Sequence, residues 1–409
     1  MSGKTIFFSA GEPSGDQHAA RLIEAMSRLR PELRFRGFGG PEMRAFGCRL
    51  DYELTQLAVV GLVEVLPKLR QFFKVADLAS AAFASGRCDA VVLIDFPGFN
   101  WHIAKRAKKL GIPVYYYLPP QLWAWGSWRV KKVRKYVDHV LSVLPFEHQW
   151  YASQGINSTY VGHPFFDSVA EKELDQRTTA RLNEFKHQGR RLVAVLPGSR
   201  GAEVTNNWPI MLESIRRLAK SHPDAQFLVA GYKDSQCLWC RSQLTSADQD
   251  LPLEFYTGRT SEIIEAADCG LMVSGSVSLE LMARNTPAAV IYRVGRILYT
   301  VGRVLVRIPS FTLPNLIAGE SVFPEIASVG NPEPAVRFLH DEVSKMLDDQ
   351  AYAAQLQFKL AELSKRYAKP GATTRTAQEI LCGLESSHPF VAHSRHLEKH
   401  QSAAAKAAA

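Results

Sequence analysis

No stretch of this 409-residue chain stays apolar for the about 18 residues that crossing a bilayer takes, so no membrane-spanning helix is expected. Residues 1–20 carry a polar turn where a signal peptide would have a cleavable apolar core, which points to the cytoplasm. Cysteine is sparse, with six in the whole chain, and a disulfide framework does not suit a sequence this long and apolar. Only Cys237-Leu238-Trp239-Cys240 has the spacing of a zinc or redox pair. It lacks a second pair or a histidine cluster to complete four ligands, so reduced, structural cysteines and no metal are expected. Neither Gly-x-Gly-x-x-Gly nor a Walker Gly-Lys-Ser/Thr occurs, which removes the usual signals of dinucleotide and P-loop chemistry, and no cofactor is expected.

With 46% apolar and 22% charged residues, the composition is globular and excludes general disorder. The length suits two domains. Two turns mark them: Ser9-Ala10-Gly11-Glu12-Pro13-Ser14-Gly15-Asp16, and Leu196-Pro197-Gly198-Ser199-Arg200-Gly201-Ala202-Glu203. Each follows a short buried-strand pattern, Thr5-Ile6-Phe7-Phe8 or Leu192-Val193-Ala194-Val195, and precedes a helical one. Such runs suit parallel sheets covered on both faces. The fold class is therefore α/β, two Rossmann-like doubly wound domains facing a cleft. Boundaries are expected at 1–170 for the first domain, 171–190 for a linker, and 191–345 for the second. Closing helices at 346–384 would pack back on the first domain or on a partner chain, and a low-complexity tail fills 385–409.

The net charge of +9 attracts nucleic acid, anionic lipid or phosphorylated substrates alike. Arg129, Lys131, Lys132, Arg134 and Lys135 form one cluster. Arg293, Arg296, Arg303 and Arg307 stud another, which reads as a basic amphipathic helix or as a solvated helix face. Between residues 62 and 73, Leu62, Val63, Val65, Leu66, Leu69, Phe72 and Phe73 make a broad apolar stripe beside Lys68, Arg70 and Lys74. At helical spacing this is either a core helix or a patch that dips into a membrane.

The second turn has the chemistry of a phosphate cradle. Gly198 and Gly201 let the backbone approach a ligand, Ser199 adds a hydroxyl, Arg200 a cationic fork, and Glu203 closes the turn. Ser274-Gly275-Ser276-Val277-Ser278-Leu279-Glu280 follows another strand and opens a helix, where Ser274, Ser276 or Ser278 can cap or meet phosphate and Glu280 can accept two ribose hydroxyls. Glu280 is equally explained as a favourable first-turn charge. Asp95 closes the strand 89–95, where desolvation would raise its pKa toward that of a useful base. Glu12 and Asp16, both at the first turn, compete with it.

These segments, with Ile94-Asp95-Phe96-Pro97-Gly98-Phe99-Asn100, Trp123-Ala124-Trp125, Leu144-Pro145-Phe146-Glu147, Gly162-His163-Pro164 and Leu313-Pro314-Asn315-Leu316-Ile317-Ala318-Gly319, resemble the lipid-A-disaccharide synthases of glycosyltransferase family 19. The resemblance runs over about residues 5–380. It implies a GT-B architecture and an inverting hexosyl transfer: 2,3-diacylglucosamine passes from UDP to 2,3-diacylglucosamine 1-phosphate (lipid X), giving a β-1,6 disaccharide for lipid A and UDP. It further implies Asp95 as base, Arg200 on the diphosphate, Asn315 on diphosphate or sugar, and secondary places for His163 and Trp123. Relatives often carry a second acid in the loop after Asp95. Here that position is Gly98, which leaves Asp95 as the loop's one carboxylate.

Acylated substrates turn the reading of the 62–73 stripe toward membrane docking, with the Arg293 segment adding attraction to phosphates. A peripheral place on the cytoplasmic face of the inner membrane and a homodimer with exchanged C-terminal segments follow from the same resemblance. Nucleic acid is not an expected partner. Two alternatives remain at this stage: a UDP-N-acetylglucosamine 2-epimerase-like enzyme sharing the two-domain plan, and a basic non-enzymatic binder of membrane or nucleic acid.

Overall fold

A computed structural model describes residues 3–58, 65–295, 299 and 309–385 of the chain, with the side chains of residues 58 and 65–69 left out. The chain divides into two compact units, Met1–Gly162 with Gly371–Ala409, and His163–Pro370.

The first unit is a seven-stranded sheet of β1 (Thr5–Ala10), β2 (Arg34–Gly39), β3 (Arg49–Glu53), β4 (Ala90–Ile94), β5 (Val114–Tyr117), β6 (His139–Ser142) and β7 (Ser158–Tyr160). Its order is β3-β2-β1-β4-β5-β6-β7, and every pairing is parallel. The central strands are buried along almost their whole length, as continuous apolar runs in a covered parallel sheet must be. Phe7 fills the core beside Phe38 and Phe83, each ring edge-on to it at 5.0 Å between centroids, the arrangement aromatic quadrupoles prefer.

The second unit holds β8 (Arg191–Leu196), β9 (Ala225–Gly231), β10 (Leu253–Thr257), β11 (Cys269–Val273), β12 (Ala288–Val294) and β13 (Glu325–Val329). The order β10-β9-β8-β11-β12-β13 is that of a Rossmann sheet, again parallel throughout.

In both sheets the order reverses between two neighbours, and there the following loops diverge and leave a crevice for ligands. In the first sheet the reversal lies between β1 and β4, which end side by side at Ala10 and Ile94. The next residues are Gly11-Glu12 and Asp95. In the second it lies between β8 and β11, where Leu196 pairs Met272, followed by the 197–200 and 274–276 loops. The two turns that stand out in the sequence therefore follow the first strand of each sheet at its switch point.

Residues 171–190, expected to link the halves, are built into the second unit. Helix Gln176–His187 is capped by Asp175, whose Oδ1 accepts the Thr178 amide, and it buries Leu182 and Phe185 against the sheet core. The closing helices do not act together either. Glu333–Asp348 and Gln350–Tyr367 belong to the second unit, while Ala372–Glu385 returns to the first. There it packs on Pro13–Leu29 with Ala377 and Ile380 fully buried, and Arg375 Nε donates to the Val161 carbonyl at 2.8 Å.

Arg293 lies in β12 rather than in a basic helix. The rest of that expected helix, apart from residue 299, falls outside the described residues, as do Leu62 and Val63. Helix Val65–Ala84 carries the remainder of the apolar stripe. The two aromatic residues of that stripe differ. Phe73 is exposed, whereas Phe72 is partly buried and packs against Phe96 and Phe99 at 6.1 and 5.7 Å, at the edge of the core. No helix among the described residues is long and apolar enough to cross a membrane.

Candidate active site

In the first unit the chain leaves β4 through two consecutive non-glycine residues in the left-handed region, Asp95 and Phe96, both at φ 44°. Such residues are strained and persist only where neighbours over-determine them. Here the neighbours are explicit. Buried Asn100 donates its carboxamide to the Asp95 carbonyl at 2.7 Å, and also reaches the Ile94 and Ser9 carbonyls at 3.2 and 3.3 Å. Its oxygen accepts from the Ser9 hydroxyl at 2.7 Å. Tyr116, from the adjacent β5, donates to the same Asp95 carbonyl at 2.8 Å.

Gly11 makes room for the Phe96 ring, since a β-carbon there would lie 2.1 Å from it. This turn sets Asp95 directly after the end of β4. Burial, and then the negative charge of Glu12, push its pKa up to about 6, where a carboxylate is a competent base near neutral pH.

Asp16 is otherwise employed. It is buried, with Oδ1 accepting the amides of Gly40 and Met43 at 2.7 and 3.2 Å and Oδ2 that of Glu42 at 3.0 Å. It therefore ties down the start of helix Pro41–Ala45 and does not serve as a base. Trp123 is held by its indole donating to buried Glu147 at 3.2 Å, with Phe146 edge-on to it at 4.7 Å. Helix Pro145–Ser153 also anchors the same loop through Tyr151, whose hydroxyl donates to the Pro120 carbonyl at 2.7 Å. Beyond it Trp125 and Trp128 are exposed, and the Arg129 guanidinium covers the Trp125 ring at 4.1 Å.

In the second unit the loop after β8 is shaped by Glu203. Its Oε2 accepts the amides of Ser199 and Arg200 at 3.0 and 3.2 Å, a self-contained cap on helix Gly201–Ser221. Gly198, at φ 127°, is required because a β-carbon would sit 2.6 Å from that of Glu203. Glu203 thus spends Oε2 on the backbone of its own loop. The Arg200 side chain is 81% exposed and only loosely paired with Glu203 at 3.4 Å, which keeps its guanidinium open to an anion. Gln236 carries no local spacing that would mark it in the sequence. It donates to the Ser199 carbonyl at 2.8 Å while accepting from the Tyr232 and Lys233 amides, and so joins the loops after β8 and β9.

The loop after β11 loses several expected ligands to structural duty. Ser278 is fully buried and donates to the Gly275 carbonyl at 2.7 Å, and Ser274 donates to the Phe311 carbonyl at 2.7 Å. Asn315 spends its whole carboxamide on the chain itself. Nδ2 reaches the Phe323 carbonyl, and Oδ1 accepts the Val322 and Phe323 amides, all at 2.8 Å. It pins the 319–323 loop and is not free to hold diphosphate or sugar.

Gly275 and Ser276 stay exposed, and Glu280 follows in the first turn of helix Val277–Ala283. His163 packs edge-on to Phe165 and Phe166 and accepts the Phe165 amide at 3.2 Å, a local framework role. A cavity of about 300 Å³ lined by Thr205, Pro209, Glu213 and Arg293 lies beside the helix that follows β8, and none of the expected nucleotide residues lines it. Cys237 and Cys240 are buried free thiols. Burial pushes the Cys240 thiol up to about 12, which leaves it protonated and unreactive.

Solved structures share the fold: a putative UDP-N-acetylglucosamine 2-epimerase from Listeria monocytogenes has a TM-score of 0.63 at 12% identity, over 96% of this chain and all of that one. The calicheamicin glycosyltransferase CalG4 has 0.60 at 13%, over 95% of this chain and all of that one. Epimerases and glycosyltransferases both appear, so fold alone does not separate the two activities.

Sequence does separate them. The lipid-A-disaccharide synthase of Syntrophus aciditrophicus is 36% identical over 392 residues, covering 95% of this chain and all of that protein. That of Anaeromyxobacter dehalogenans (strain 2CP-1) is 36% identical over 379 residues, 92% and 96% of the two chains. The family model for lipid-A-disaccharide synthetase matches residues 6–376, and this chain belongs to the lipid-A-disaccharide synthetase family.

Proposed function

We propose that this enzyme joins two acylated sugars, with Asp95 as the base that prepares the attacking hydroxyl. The chain is a glycosyltransferase of its family, and its donor is a UDP-sugar. In our reading the donor is UDP-2,3-diacylglucosamine and the acceptor is 2,3-diacylglucosamine 1-phosphate. The acceptor 6-hydroxyl attacks the anomeric carbon, its proton passes to Asp95, and the bond from that carbon to the UDP oxygen breaks, inverting the centre. Arg200 meets the charge that develops on the departing diphosphate, and Glu280 holds the ribose. The first unit takes the acceptor and the second the nucleotide.

The observation that carries this reading is the Asp95 turn. A strained backbone, four hydrogen bonds from Asn100 and Tyr116, and a carboxyl raised to about 6 are more than a loop cap requires. The test is turnover with both acylated substrates in detergent micelles, reading UDP release and disaccharide together. Epimerisation of an unacylated UDP-sugar without transfer overturns the proposal.

Substrates with acyl chains reside in a membrane, so the enzyme works as a peripheral protein at the cytoplasmic face of the inner membrane. Exposed Phe73, on the helix that continues the apolar stripe, marks the side of the first unit that docks.

A further inference from the structure

Among the described residues five arginine–carboxylate pairs use the guanidinium Nε, and three of them are closed forks. Arg36 reaches Asp51 through Nε and Nη2, both at 2.9 Å. Arg191 reaches Asp224 at 2.5 and 2.8 Å, and Arg216 reaches Asp248 at 2.7 and 2.8 Å. The two-point match of guanidinium to carboxylate is the strong form of this pairing. Arg284 departs from it. Its Nε donates to Glu280 Oε1 at 3.0 Å and its Nη1 to Glu265 at 2.7 Å, but its Nη2 is buried without a hydrogen-bond partner among the described residues. Among the described residues no hydrogen bond reaches the second oxygen of Glu280. Side-chain exposure is 10% for Arg284 and 8% for Glu280, and a buried donor left unpaired carries a real cost.

The placement explains what the open fork achieves. Glu280 lies in the first turn of helix Val277–Ala283, directly after the β11 switch-point loop, and Arg284 follows one turn further from that loop. Arg284 thus grips one oxygen from behind, and its second arm is drawn off to Glu265 on helix Thr260–Ala266. A bidentate pair would have consumed both carboxylate oxygens. We infer that Arg284 is a positioning residue that fixes the rotamer and charge of Glu280 while reserving one oxygen for hydroxyls of the nucleotide's ribose. This rests on the reading of Glu280 as the ribose acceptor.

The test compares binding of UDP and 2′,3′-dideoxy-UDP to the full-length protein by calorimetry, for the wild type, Arg284→Lys, Arg284→Met and Glu280→Ala. A hydrogen bond to a charged group changes affinity on the order of 10- to 100-fold, so the wild type should prefer UDP by that factor. Glu280→Ala should erase the preference. Arg284→Met should reduce it to within about threefold of unity, and Arg284→Lys, which keeps a cation but loses the divided fork, should fall between. Binding of inorganic pyrophosphate should not change in any variant.

If Arg284→Met weakens both nucleotides equally and keeps the preference, the residue is merely structural and the inference fails. If Arg284→Met does not fold, Arg284→Lys decides: an undiminished preference overturns the inference, and a diminished one supports it. A wild type that binds UDP without preferring it to the dideoxy form sinks the ribose reading of Glu280 itself, a result distinct from either outcome.

Discussion

The side chain of Asn100 donates to the carbonyl of Asp95 at 2.7 Å from five residues further along the chain, and this contact holds two successive left-handed residues in place. Two non-glycine residues in that region cost roughly 1–3 kcal/mol each. The hydrogen bonds of Asn100 and Tyr116 to the Asp95 carbonyl offset that cost.

Replacing Asn100 by Leu should leave the Ser9 hydroxyl without its acceptor in a buried site and the Asp95 carbonyl with Tyr116 as its one remaining side-chain donor. We expect a stability loss of about 2–4 kcal/mol, read from urea unfolding, and a fall in kcat far larger than any change in UDP affinity. An equal loss in both parameters would place Asn100 in the general scaffold.

The pH dependence of turnover should carry the signature of Asp95. With a carboxyl near 6, kcat/KM rises about tenfold per pH unit below that point and levels off above it. Glu12→Gln removes a negative charge that contributes to the upward shift, so the midpoint should move to lower pH. Stability follows the same group with a definite sign. The folded carboxyl keeps its proton to about 6 while the unfolded one loses it near 3.8, so stability declines as pH rises through that window. Asp95→Asn should abolish transfer and flatten that decline in Tm.

Arg200 and Glu203 stand three residues apart but should fail in different ways. Arg200→Ala should weaken UDP binding on the order of tenfold or more, the range for one charge-assisted contact, with Tm nearly unchanged because the side chain is exposed. Glu203→Ala removes the acceptor of two loop amides and should cost about 1 kcal/mol of stability. Its effect on UDP should come through loop disorder, visible as faster amide exchange at Ser199 and Arg200.

Phe72 and Phe73 separate docking from packing. Phe73→Ser should reduce cosedimentation with vesicles containing anionic lipid and leave Tm near that of the wild type. Phe72→Ser should lower Tm, since that ring lies against Phe96 and Phe99, with a cost of about 2–4 kcal/mol. Vesicle binding unaffected by Phe73→Ser would remove that residue from the docking surface.

The central strands and both switch-point turns were legible because buried parallel strands are unbroken apolar runs and the loops after them are polar or glycine-rich. The edge strands β3 and β13 were not, since Arg49-Leu50-Asp51-Tyr52-Glu53 and Glu325-Ile326-Ala327-Ser328-Val329 carry polar residues on half-covered surfaces. Asp95 and Arg200 could be picked out as charged side chains in loops at strand ends. Asp16, Glu203, Ser278 and Asn315 could not be told from them, because a polar residue serving the backbone and one serving a ligand are the same letter. Only the hydrogen bonds distinguish the two. Gln236 and Arg284 act across elements distant in sequence or on a neighbour's second oxygen, and no local spacing announces that.

The return of helix Ala372–Glu385 to the first unit bears on how the protein is made. Domains that are continuous in sequence can fold while the ribosome is still at work on the remainder. Here the surface of helix Pro13–Leu29 waits for Ala377 and Ile380, more than 340 residues behind it. The second unit, complete at Pro370, can finish during synthesis, whereas the first stays open until nearly the last helix has emerged. The part made first is therefore the part completed last.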